Sequence, residues 1–536
     1  MESKGLNHLG IVSGMIDQLG LVEGIDSRLK QEMRDRHVSI GVGVKAMLIN
    51  GLGFSQRTLY LVSNYFDNLP VELLLGPGIS SNHLNDSVLG RILDEIHEYG
   101  CTKLYSELTP QICKSLNLTP SELCMDSTDF HLDGKYNSEL EVEEGSQVLH
   151  LTRGYSRDHR PDLNQVVLNL IVENQAGIVL HMEAHSGNKS DKAIFRETIR
   201  QHISQLQNAY EVADLLMDSA GYTAETIKEH SGSIHWISRV PETIKEARLA
   251  IELGGEMQEL GTGYRYRMMG SNYGEVKQRW AVIHSEEAYQ KELMTFKKNY
   301  IKDSEKALSA FEKIGNQKFS CEKDAQKYLA EFSKKYPIIE INDSGIEATA
   351  QYKGQGRPSK DAQPSHYSYS IKGNCSSCID RFRTLAQHKG KFIIATNNLD
   401  IDKTPDDQLL AKYKSLSKVE RGFRFLKDPQ FVAASFFVKK PERVEALLFI
   451  MTLCLSVYAA IEYQVRQELI KTNQTLPNQL NKQVKNPTAR WIFAMMAGVH
   501  VLYLDGNQPV ILNLTDTKKK IIDLMGSFVQ KYYLRI

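Results

Sequence analysis

The chain has 536 residues, which at about 150 residues per domain suggests three or four domains. Its hydrophobic fraction of 41% and charged fraction of 24% are those of ordinary globular proteins, which excludes a wholly disordered or collagen-like chain. Lysine plus arginine and aspartate plus glutamate both number 65, so the overall charge gives no argument for nucleic-acid binding, and such a role needs a local basic patch.

Cysteine usage and hydropathy indicate the compartment. The 7 cysteines have no regular spacing, which fits a reducing environment, and the first residues lack the pattern of a signal peptide. The longest uncharged run, residues 446–461, is shorter than the roughly 20 residues that span a bilayer. We therefore predict that this run is a buried core helix in a soluble cytoplasmic protein that has no membrane contact.

Two kinds of pattern divide the first half of the chain. Apolar residues recur at helical spacing through residues 1–118, which predicts a separate all-α N-terminal domain. From about residue 121 short apolar runs take over, and they predict strands at 123–126, 166–172, 178–182, 215–218 and 234–238. A hairpin turn is predicted at 173–177 and a helix at 192–207. Three strands followed by alternating helix and strand predict an α/β core at 119–240.

The second half begins with a change of rhythm. Residues 241–390 combine alternating aromatic and basic residues, a charged helix at 286–313 and a Gly/Ser/Lys-rich stretch, so we predict a large inserted α+β domain. The core resumes at 391–470 with a strand at 392–396 and helices at about 407–426 and 443–468. A C-terminal segment, 471–536, carries a short strand pair and a final helix.

Three acidic residues stand out by their positions. Asp126 and Asp218 end predicted apolar strands, and Glu420 lies in a predicted helix. A carboxylate at such a strand end is costly to bury unless it is paired or bound to a metal. Three converging carboxylates supply the hard oxygen ligands that Mg²⁺ or Mn²⁺ prefers, and they could hold two ions about 3.5–4 Å apart for chemistry at phosphorus. The alternative is three unrelated surface carboxylates.

The surroundings of Glu420 connect these residues to a known family. Tyr413, Glu420 and Lys427 follow the spacing Y-x6-E-x6-K, which predicts that all three lie near one face of a helix. With this spacing the chain resembles insertion-sequence DDE transposases whose third acidic residue lies in a tyrosine–arginine–glutamate–lysine signature, Y-x2-R-x3-E-x6-K. Leu416 stands where that signature has arginine.

The resemblance covers most of residues 121–465. Asp126-Ser127-Thr128 resembles the D-x-T motif of the family, and residues 154–165 resemble a G-x-S-K-D-x-R-P-D-L-x-Q block of one subgroup. Residues 187–191 match a G-N-x-x-D turn and residues 218–222 the motif of the second aspartate. Residues 390–397 and 423–427 also match the subgroup.

The resemblance implies an RNase H-like catalytic core with a large α+β insertion, preceded by a helical N-terminal domain that binds DNA ends. Asp126, Asp218 and Glu420 would be the catalytic, metal-binding triad, with Mg²⁺ as cofactor and Mn²⁺ as its substitute. The intervals agree with an inserted domain, since 218 − 126 = 92 residues and 420 − 218 = 202 residues. A structureless loop of the second length is implausible in a compact domain.

Further residues are predicted to contact DNA. Tyr413 and Lys427 are expected at the phosphates beside the scissile bond. Arg357 lies in residues 354–360, which resemble an AT-hook core that inserts arginine into a narrow minor groove, although a solvated loop explains the composition equally well. The other predicted DNA-binding cations are Arg421, Arg424, Arg157 and Arg160.

The function implied by the resemblance is that of a DNA transposase. It would bind the terminal inverted repeats of its element and carry out Mg²⁺-dependent cleavage and strand transfer into target DNA, as a homodimer in the DNA complex and in the bacterial cytoplasm, associated with the nucleoid. Two alternatives are a catalytically silent DNA-binding protein derived from a transposase and a metal-dependent nuclease that does not join DNA.

Several weaker signals favour structural roles. Cys375 and Cys378 form a C-x2-C pair without a second pair, which favours an ordinary loop over a zinc site. Trp236 and Trp280 could stack on a displaced base, but a core position is the more common role and is expected for Trp236. Structural roles are also expected for His131, His150 and His185.

Overall fold

The structure is a computed structural model that describes residues 2–29, 37–54, 61–132, 149–156, 160–353, 363–428, 440–504 and 508–534. The chain divides into two compact units. The first unit comprises Met1–Arg239, Ser271–Arg279 and Ala395–Ile536, and the second comprises Val240–Gly270 and Trp280–Ile394.

The first unit begins with a strand and a group of helices. Side-chain caps fix the starts of two of these helices, because Ser39 accepts a hydrogen bond from the N–H of Val42 and Asn85 accepts one from Val88. The elements are β1 (Glu2–Gly5), α1 (Leu9–Gln18), α2 (Leu21–Asp26), α3 (Ile40–Leu52), α4 (Val62–Phe66), α5 (Val71–Leu75), α6 (Asp86–Tyr99) and α7 (Cys101–Ser115).

A sheet follows in the same unit. Its elements are β2 (Glu122–Leu132), β3 (Asn164–Glu173), β4 (Val179–Ser186), α8 (Asp191–Ala209), β5 (Asp214–Met217), α9 (Ala224–His230) and β6 (His235–Arg239). Five strands lie side by side in the order β4-β3-β2-β5-β6. The first three are antiparallel to one another, whereas β5 runs parallel to β2 and β6 runs parallel to β5. This topology, with helices before and after β5, confirms the predicted RNase H-like core.

The predicted hairpin turn between β3 and β4 is held by one side chain. The buried carboxylate of Glu173 accepts hydrogen bonds from the backbone N–H groups of residues 175–178, at 2.6–2.8 Å. Gly177 takes a φ of +84°, which an L side chain adopts only with strain. The turn therefore fixes the register of the β3–β4 pair, and it places alternate residues of β4 on the face covered by α8.

The second unit consists mainly of residues 245–396. A long hairpin of β10 and β11 packs with α11 and α12 around Phe311, Phe332 and Ile371. The predicted AT-hook segment, 354–360, lies outside the described residues. The elements are α10 (Lys245–Glu252), β7 (Gln258–Gly261), β8 (Tyr264–Ser271), β9 (Gln278–Ser285), α11 (Glu286–Gly315), α12 (Glu322–Lys335), β10 (Ile339–Gln351), β11 (His366–Ser377), α13 (Ile379–Ala386) and β12 (Lys391–Thr396).

The chain then completes the first unit. Single 3₁₀ turns occur at Ser81–Leu84, Tyr273–Glu275 and Asp406–Gln408. The remaining elements are α14 (Leu409–Lys414), α15 (Ser417–Leu426), α16 (Pro441–Lys471), β13 (Leu476–Pro477), β14 (Gln483–Val484), α17 (Ala489–Met495), β15 (His500–Tyr503), β16 (Val510–Leu512), α18 (Asp516–Met525) and α19 (Ser527–Tyr533).

Helix α16 contains the uncharged run 446–461 and lies in the interior of the first unit. Among the described residues it is the one helix long and apolar enough to cross a membrane, yet 83% of its apolar window is buried inside the protein. It packs against α1, α3, α6 and α7 and also against β4. It is therefore a core helix that joins the N-terminal helices to the sheet.

The two ends of the chain also pack together. Strand β1 pairs with β15, and α1 packs on α19. The hydroxyl of Tyr533 donates to the carbonyl of Asn7 at 2.6 Å and accepts from the N–H of Ile11 at 3.2 Å. The N-terminal helices therefore complete their packing with the C-terminal segment.

Candidate active site

The strand register brings three charged residues into one row. Met125 of β2 pairs with Met217 of β5, and Met217 pairs with Ser238 of β6. The next residue on each strand is Asp126, Asp218 and Arg239 respectively. Because adjacent strands lie about 4.8 Å apart, these side chains start from neighbouring backbone positions. Asp126 and Asp218 are both half-buried.

Helices α14 and α15 cover one face of β2 and β5, next to the row of Asp126, Asp218 and Arg239. The ammonium group of Lys412 donates to Asp214 Oδ2 at 2.6 Å and lies 3.1 Å from Glu122 Oε1. One turn further along, the hydroxyl of Ser415 lies 3.5 Å from the thiol of Cys124. Successive side chains of a strand point to opposite faces, so Glu122, Cys124 and Asp126 share this face. The contacts therefore run along β2 towards Asp126.

Tyr413 is affected by the charges of all three predicted carboxylates. Burial raises the pKa of Tyr413 to about 12, and the charges of Asp218, Glu420 and Asp126 act in the same direction. Arg239 acts against them and lowers the pKa. The phenol thus lies within electrostatic reach of all three carboxylates and of the guanidinium group at the end of β6.

Helix α15 presents Glu420 to solvent and its apolar side to the core. Val419, Gly422, Phe423 and Leu426 are buried, whereas Glu420 is exposed. Apolar residues at intervals of three and four produce this division. Burial of Val419, Phe423 and Leu426 is what the sequence predicts for the side of the helix opposite Glu420.

The expectation of one continuous helix at 407–426 is wrong. α14 ends at Lys414 and α15 begins at Ser417, and a tight turn with i→i+3 bonds joins them. The N–H of Leu416 bonds to the carbonyl of Tyr413 at 3.2 Å, and that of Val419 bonds to Leu416 at 3.0 Å. Leu416, at the arginine position of the signature, is buried. Tyr413 and Glu420 therefore approach each other across a 3₁₀ turn and not along one regular helix face.

Lys427 has a partner inside the protein. Its ammonium group lies 3.7 Å from Oδ1 of Asp129, a carboxylate that is 4% exposed and has no hydrogen-bond partner. His131 Nε2 lies 3.4 Å from the other oxygen of Asp129. Lys427 therefore compensates a buried charge, a structural role that the sequence does not indicate.

The other predicted DNA-binding residues occupy different environments. Arg421 and Arg424 are exposed on α15. Arg160 is also exposed and pairs with Asp162 at 2.9 Å. Arg157 and Arg357 lie outside the described residues. The structure thus places Arg421 and Arg424 on the helix of Glu420 and leaves Arg160 in a surface ion pair.

The weaker signals resolve into structural roles. Trp236 and Trp280 are both buried, so neither is available to stack on a base. Cys378 caps α13, since its sulfur accepts the N–H of Arg381. Cys375 lies in β11, and within the described part of the chain no group of three metal-type ligands forms around the two cysteines. The expectation of a loop is wrong, since the first cysteine lies in a strand and the second begins a helix.

Two functional candidates escaped the sequence analysis. Arg239 ends β6 beside Asp218, and its position at a strand end was the available signal. Lys412 lies one residue before Tyr413 and fixes α14 to the sheet through Asp214 and Glu122. That role depends on a contact nearly 200 residues away in the sequence, which no local pattern reveals.

The donor set fits divalent cations of the hard class. Asp126, Asp218 and Glu420 supply carboxylate oxygens around Tyr413, and such oxygens suit Mg²⁺ and Mn²⁺. Ligands of a two-metal site are spread over two ions about 3.5–4 Å apart, so they need not form one compact cluster.

Comparisons with known proteins identify the family of the chain. Residues 117–457 match the family model described as "Transposase DDE domain", and residues 1–110 match a "Domain of unknown function (DUF4277)". The chain therefore belongs to the DDE transposase family. No curated protein matches it. A cryo-EM structure titled as the piggyBac transposase synaptic complex with hairpin DNA is similar over 98% of this chain and 80% of that chain, with 8% identity and a TM-score of 0.38.

Proposed function

We propose that the chain is a DNA transposase that binds the terminal inverted repeats of its element and catalyses Mg²⁺-dependent DNA cleavage and strand transfer. The observation that carries this proposal is the β2–β5 register, which gives Asp126 and Asp218 neighbouring backbone positions, together with the charges of both and of Glu420, which act on Tyr413. Membership of the DDE transposase family supports the same class of reaction.

In this proposal the three carboxylates hold the metal ions. Asp126 and Asp218, on neighbouring strands, are the first ligands, and Glu420 completes the set from α15. Mg²⁺ ions bound there, with Mn²⁺ as a substitute, would activate the attacking oxygen and stabilise the leaving oxygen at phosphorus. The strands fix the two aspartates, and the buried side of α15 fixes the backbone of Glu420.

Tyr413 and Arg239 act on the DNA phosphate. Because the pKa of Tyr413 is raised to about 12, its hydroxyl keeps its proton at neutral pH and serves as a hydrogen-bond donor to a phosphate oxygen. The positive charge of Arg239 acts on the phenol against the negative charges of the carboxylates. The exposed Arg421 and Arg424 extend the positive surface along α15 for the DNA backbone.

We assign the following roles to the parts of the chain. Residues 1–118 bind the element ends, 119–240 and 391–470 form the catalytic core, 241–390 form the inserted domain, and 471–536 support the N-terminal helices. Pairing of two ends implies a homodimer in the DNA complex. The protein would act in the bacterial cytoplasm, associated with the nucleoid.

A strand-transfer assay tests the proposal. Full-length protein is incubated with Mg²⁺, a supercoiled target plasmid and end-labelled duplexes made from the DNA that flanks its coding sequence. We expect labelled ends to be joined to the plasmid. Asp126→Asn, Asp218→Asn and Glu420→Gln should each lower cleavage by about a thousandfold, since a lost ligand removes several kcal/mol of transition-state stabilisation.

Binding measurements give the control for these variants. All three should bind the labelled ends as tightly as wild type, and Glu442→Gln, a carboxylate at the start of α16, should cleave normally. Cleavage without joining would favour a nuclease, and binding without cleavage a catalytically silent DNA-binding protein. Near-normal cleavage by any one triad variant would refute the role of that residue.

A further inference from the structure

A second group of metal-type ligands lies at the edge of the sheet in the first unit, between β4 and α8. His181, Glu183 and His185 occupy alternate positions of β4, so all three project from the same face. Helix α8 covers this face, because Asn169, which pairs with Glu183 across β3 and β4, donates to Thr198 of α8 at 2.9 Å.

His202 of α8 completes the group. Glu183 Oε2 lies 3.8 Å from His181 Nε2 and 3.9 Å from His202 Nε2. The ligand atoms of these three residues all lie within 4.8 Å of one another, and no other such group of three occurs in the described ranges. The rings of His181 and His202 approach to 4.2 Å between centroids.

These separations are too long for hydrogen bonds and close to those of a coordination shell. Ligands bonded at about 2.0–2.1 Å to a tetrahedral zinc ion lie about 3.3–3.4 Å apart, so the two Glu183 distances are each about half an ångström longer than in a coordination shell. Hydrogen bonds between nitrogen and oxygen need about 2.7–3.2 Å. The side chains thus surround a point and do not bond to one another.

Burial makes this arrangement costly without a further partner. His181 is 2% exposed and its Nε2 has no hydrogen-bond partner. Glu183 Oε2 is likewise buried without one. A buried polar atom that lacks a partner costs about 1–3 kcal/mol. A cation bound to both His181 Nε2 and Glu183 Oε2 would remove this cost.

The surrounding charges favour a cation. Glu183 places one carboxylate oxygen within 3.5–3.9 Å of three imidazoles, and its negative charge would balance that of a bound cation. Burial lowers the pKa of His202, which keeps its ring neutral and able to bind metal at neutral pH. Glu445 of α16 adds a second carboxylate whose charge reaches Glu183.

His185 has a supporting position. Its Nδ1 lies 3.4 Å from the ammonium group of Lys189, which can only donate, so Nδ1 accepts and Nε2 carries the proton. Nε2 lies 3.5 Å from Glu183 Oε2 and orients that carboxylate. Metal-binding carboxylates commonly have such an outer partner.

We propose that His181, Glu183 and His202 bind one divalent transition-metal ion of the zinc class, at a site separate from Asp126, Asp218 and Glu420. Two imidazoles and one carboxylate suit zinc, whereas Mg²⁺ prefers oxygen ligands alone. The bound ion joins α8 to β4 and closes the edge of the core. This inference does not depend on the proposed catalytic function.

The site also connects to the candidate active site through α8. Asp191, the first residue of α8, accepts a hydrogen bond from Ser127 at 2.7 Å, and Ser127 follows Asp126 on β2. Helix α8 thus holds Ser127, the neighbour of Asp126. An ion that fixes α8 to β4 therefore also stabilises the position of Asp126. Its role is structural.

Metal binding to the purified full-length protein tests this inference. Zinc content is measured after dialysis against micromolar Zn²⁺ with millimolar Mg²⁺, which occupies hard oxygen sites. We expect one zinc ion per chain in wild type and in Asp126→Asn, and at least about tenfold weaker binding in Glu183→Gln and His202→Gln. His235→Gln, which replaces an exposed histidine of β6, is the matched control and should bind like wild type.

Two further readouts separate a metal site from a general loss of folding. Replacement of zinc by Co²⁺ should give the d–d absorption of a four-coordinate site in wild type and not in His202→Gln. Free Zn²⁺ at a hundred times the wild-type Kd should lower the unfolding equilibrium constant of wild type about a hundredfold and that of His202→Gln by about tenfold at most, and both proteins should unfold alike in EDTA. Absence of zinc from wild type, or equal binding by wild type and both ligand variants, would overturn the inference.

Discussion

Replacing Lys412 with methionine should lower the free energy of unfolding by about 3 kcal/mol. The ammonium group of Lys412 lies 2.6 Å from Asp214 Oδ2 and 3.1 Å from Glu122 Oε1, and the side chain of Asp214 is 1% exposed. Removing one partner of a buried ion pair costs about 3–5 kcal/mol, because the other charge stays buried without compensation. The 18% exposure of Lys412 places the expected loss at the lower end of that range.

Urea denaturation followed by tryptophan fluorescence measures this loss. Lys403→Met is the matched control, since Lys403 lies 3.6 Å from Asp400 on the surface, where the two side chains are 74% and 44% exposed. Such surface pairs contribute at most about 1 kcal/mol. Lys412→Met with Asp214→Asn should recover part of the loss, because the remaining side chain is neutral. If Lys412→Met and Lys403→Met unfolded at the same urea concentration, the assigned role of Lys412 would be wrong.

The difference in the free energy of unfolding between wild type and Lys412→Met depends on pH in a predictable direction. Burial acts to lower the pKa of Lys412, but the hydrogen bonds and charges of Asp214 and Glu122 outweigh it and raise the pKa above 10.5. A raised folded-state pKa means that the stabilisation is fully present below the ordinary lysine value and is lost as the pH rises through the folded value. The difference between wild type and Lys412→Met should therefore persist through mildly alkaline pH and shrink only above 10.5.

Three other predictions concern α15 and its end. Phe423→Ala should lower the free energy of unfolding by about 3–5 kcal/mol, as loss of a buried aromatic does, and an unchanged urea midpoint would contradict its packing. Lys427→Ala should lower stability by about 1–3 kcal/mol because it leaves the buried Oδ1 of Asp129 without its cation, and adding Asp129→Asn should restore most of it; no recovery would contradict the pairing. The double variant Arg421→Ala, Arg424→Ala should unfold at the same urea concentration as wild type. Its DNA affinity should depend less steeply on salt, with a slope of log affinity against log salt reduced by about two phosphate contacts. An unchanged slope would exclude both arginines from the DNA interface.

Local patterns in the sequence predict most of the secondary structure. Short apolar runs predict β3 to β6 to within a few residues, because strands buried on both faces are apolar almost throughout. The prediction for β2 is too short, because the strand continues past Asp126 to Leu132. The uncharged run 446–461 predicts α16 as a core helix. The break between α14 and α15 has no such signal, because residues 412–427 retain helical spacing across the 3₁₀ turn.

Long-range contacts mark the limit of that prediction. The pairing of β1 with β15 joins segments almost 500 residues apart, and β1 has no apolar pattern of its own. The role of Lys427 also required the fold, because Asp129 reaches it only through tertiary packing. The alternation of His181, Glu183 and His185 is visible in the sequence, but His202 joins them only when α8 covers β4.

The most direct test of the catalytic account is DNA cleavage by Asp126→Cys, assayed with Mg²⁺ and with Mn²⁺ on the labelled flanking duplexes. A thiolate is a poor ligand for Mg²⁺, which keeps to oxygen, and it is accepted more readily by Mn²⁺. We predict that cleavage by Asp126→Cys falls about a thousandfold with Mg²⁺ and recovers at least about tenfold with Mn²⁺. Cleavage by wild type and by the control Glu442→Cys should change little between the two metals. Cleavage by Asp126→Cys at the wild-type rate with Mg²⁺ would contradict the assignment of Asp126 as a metal ligand.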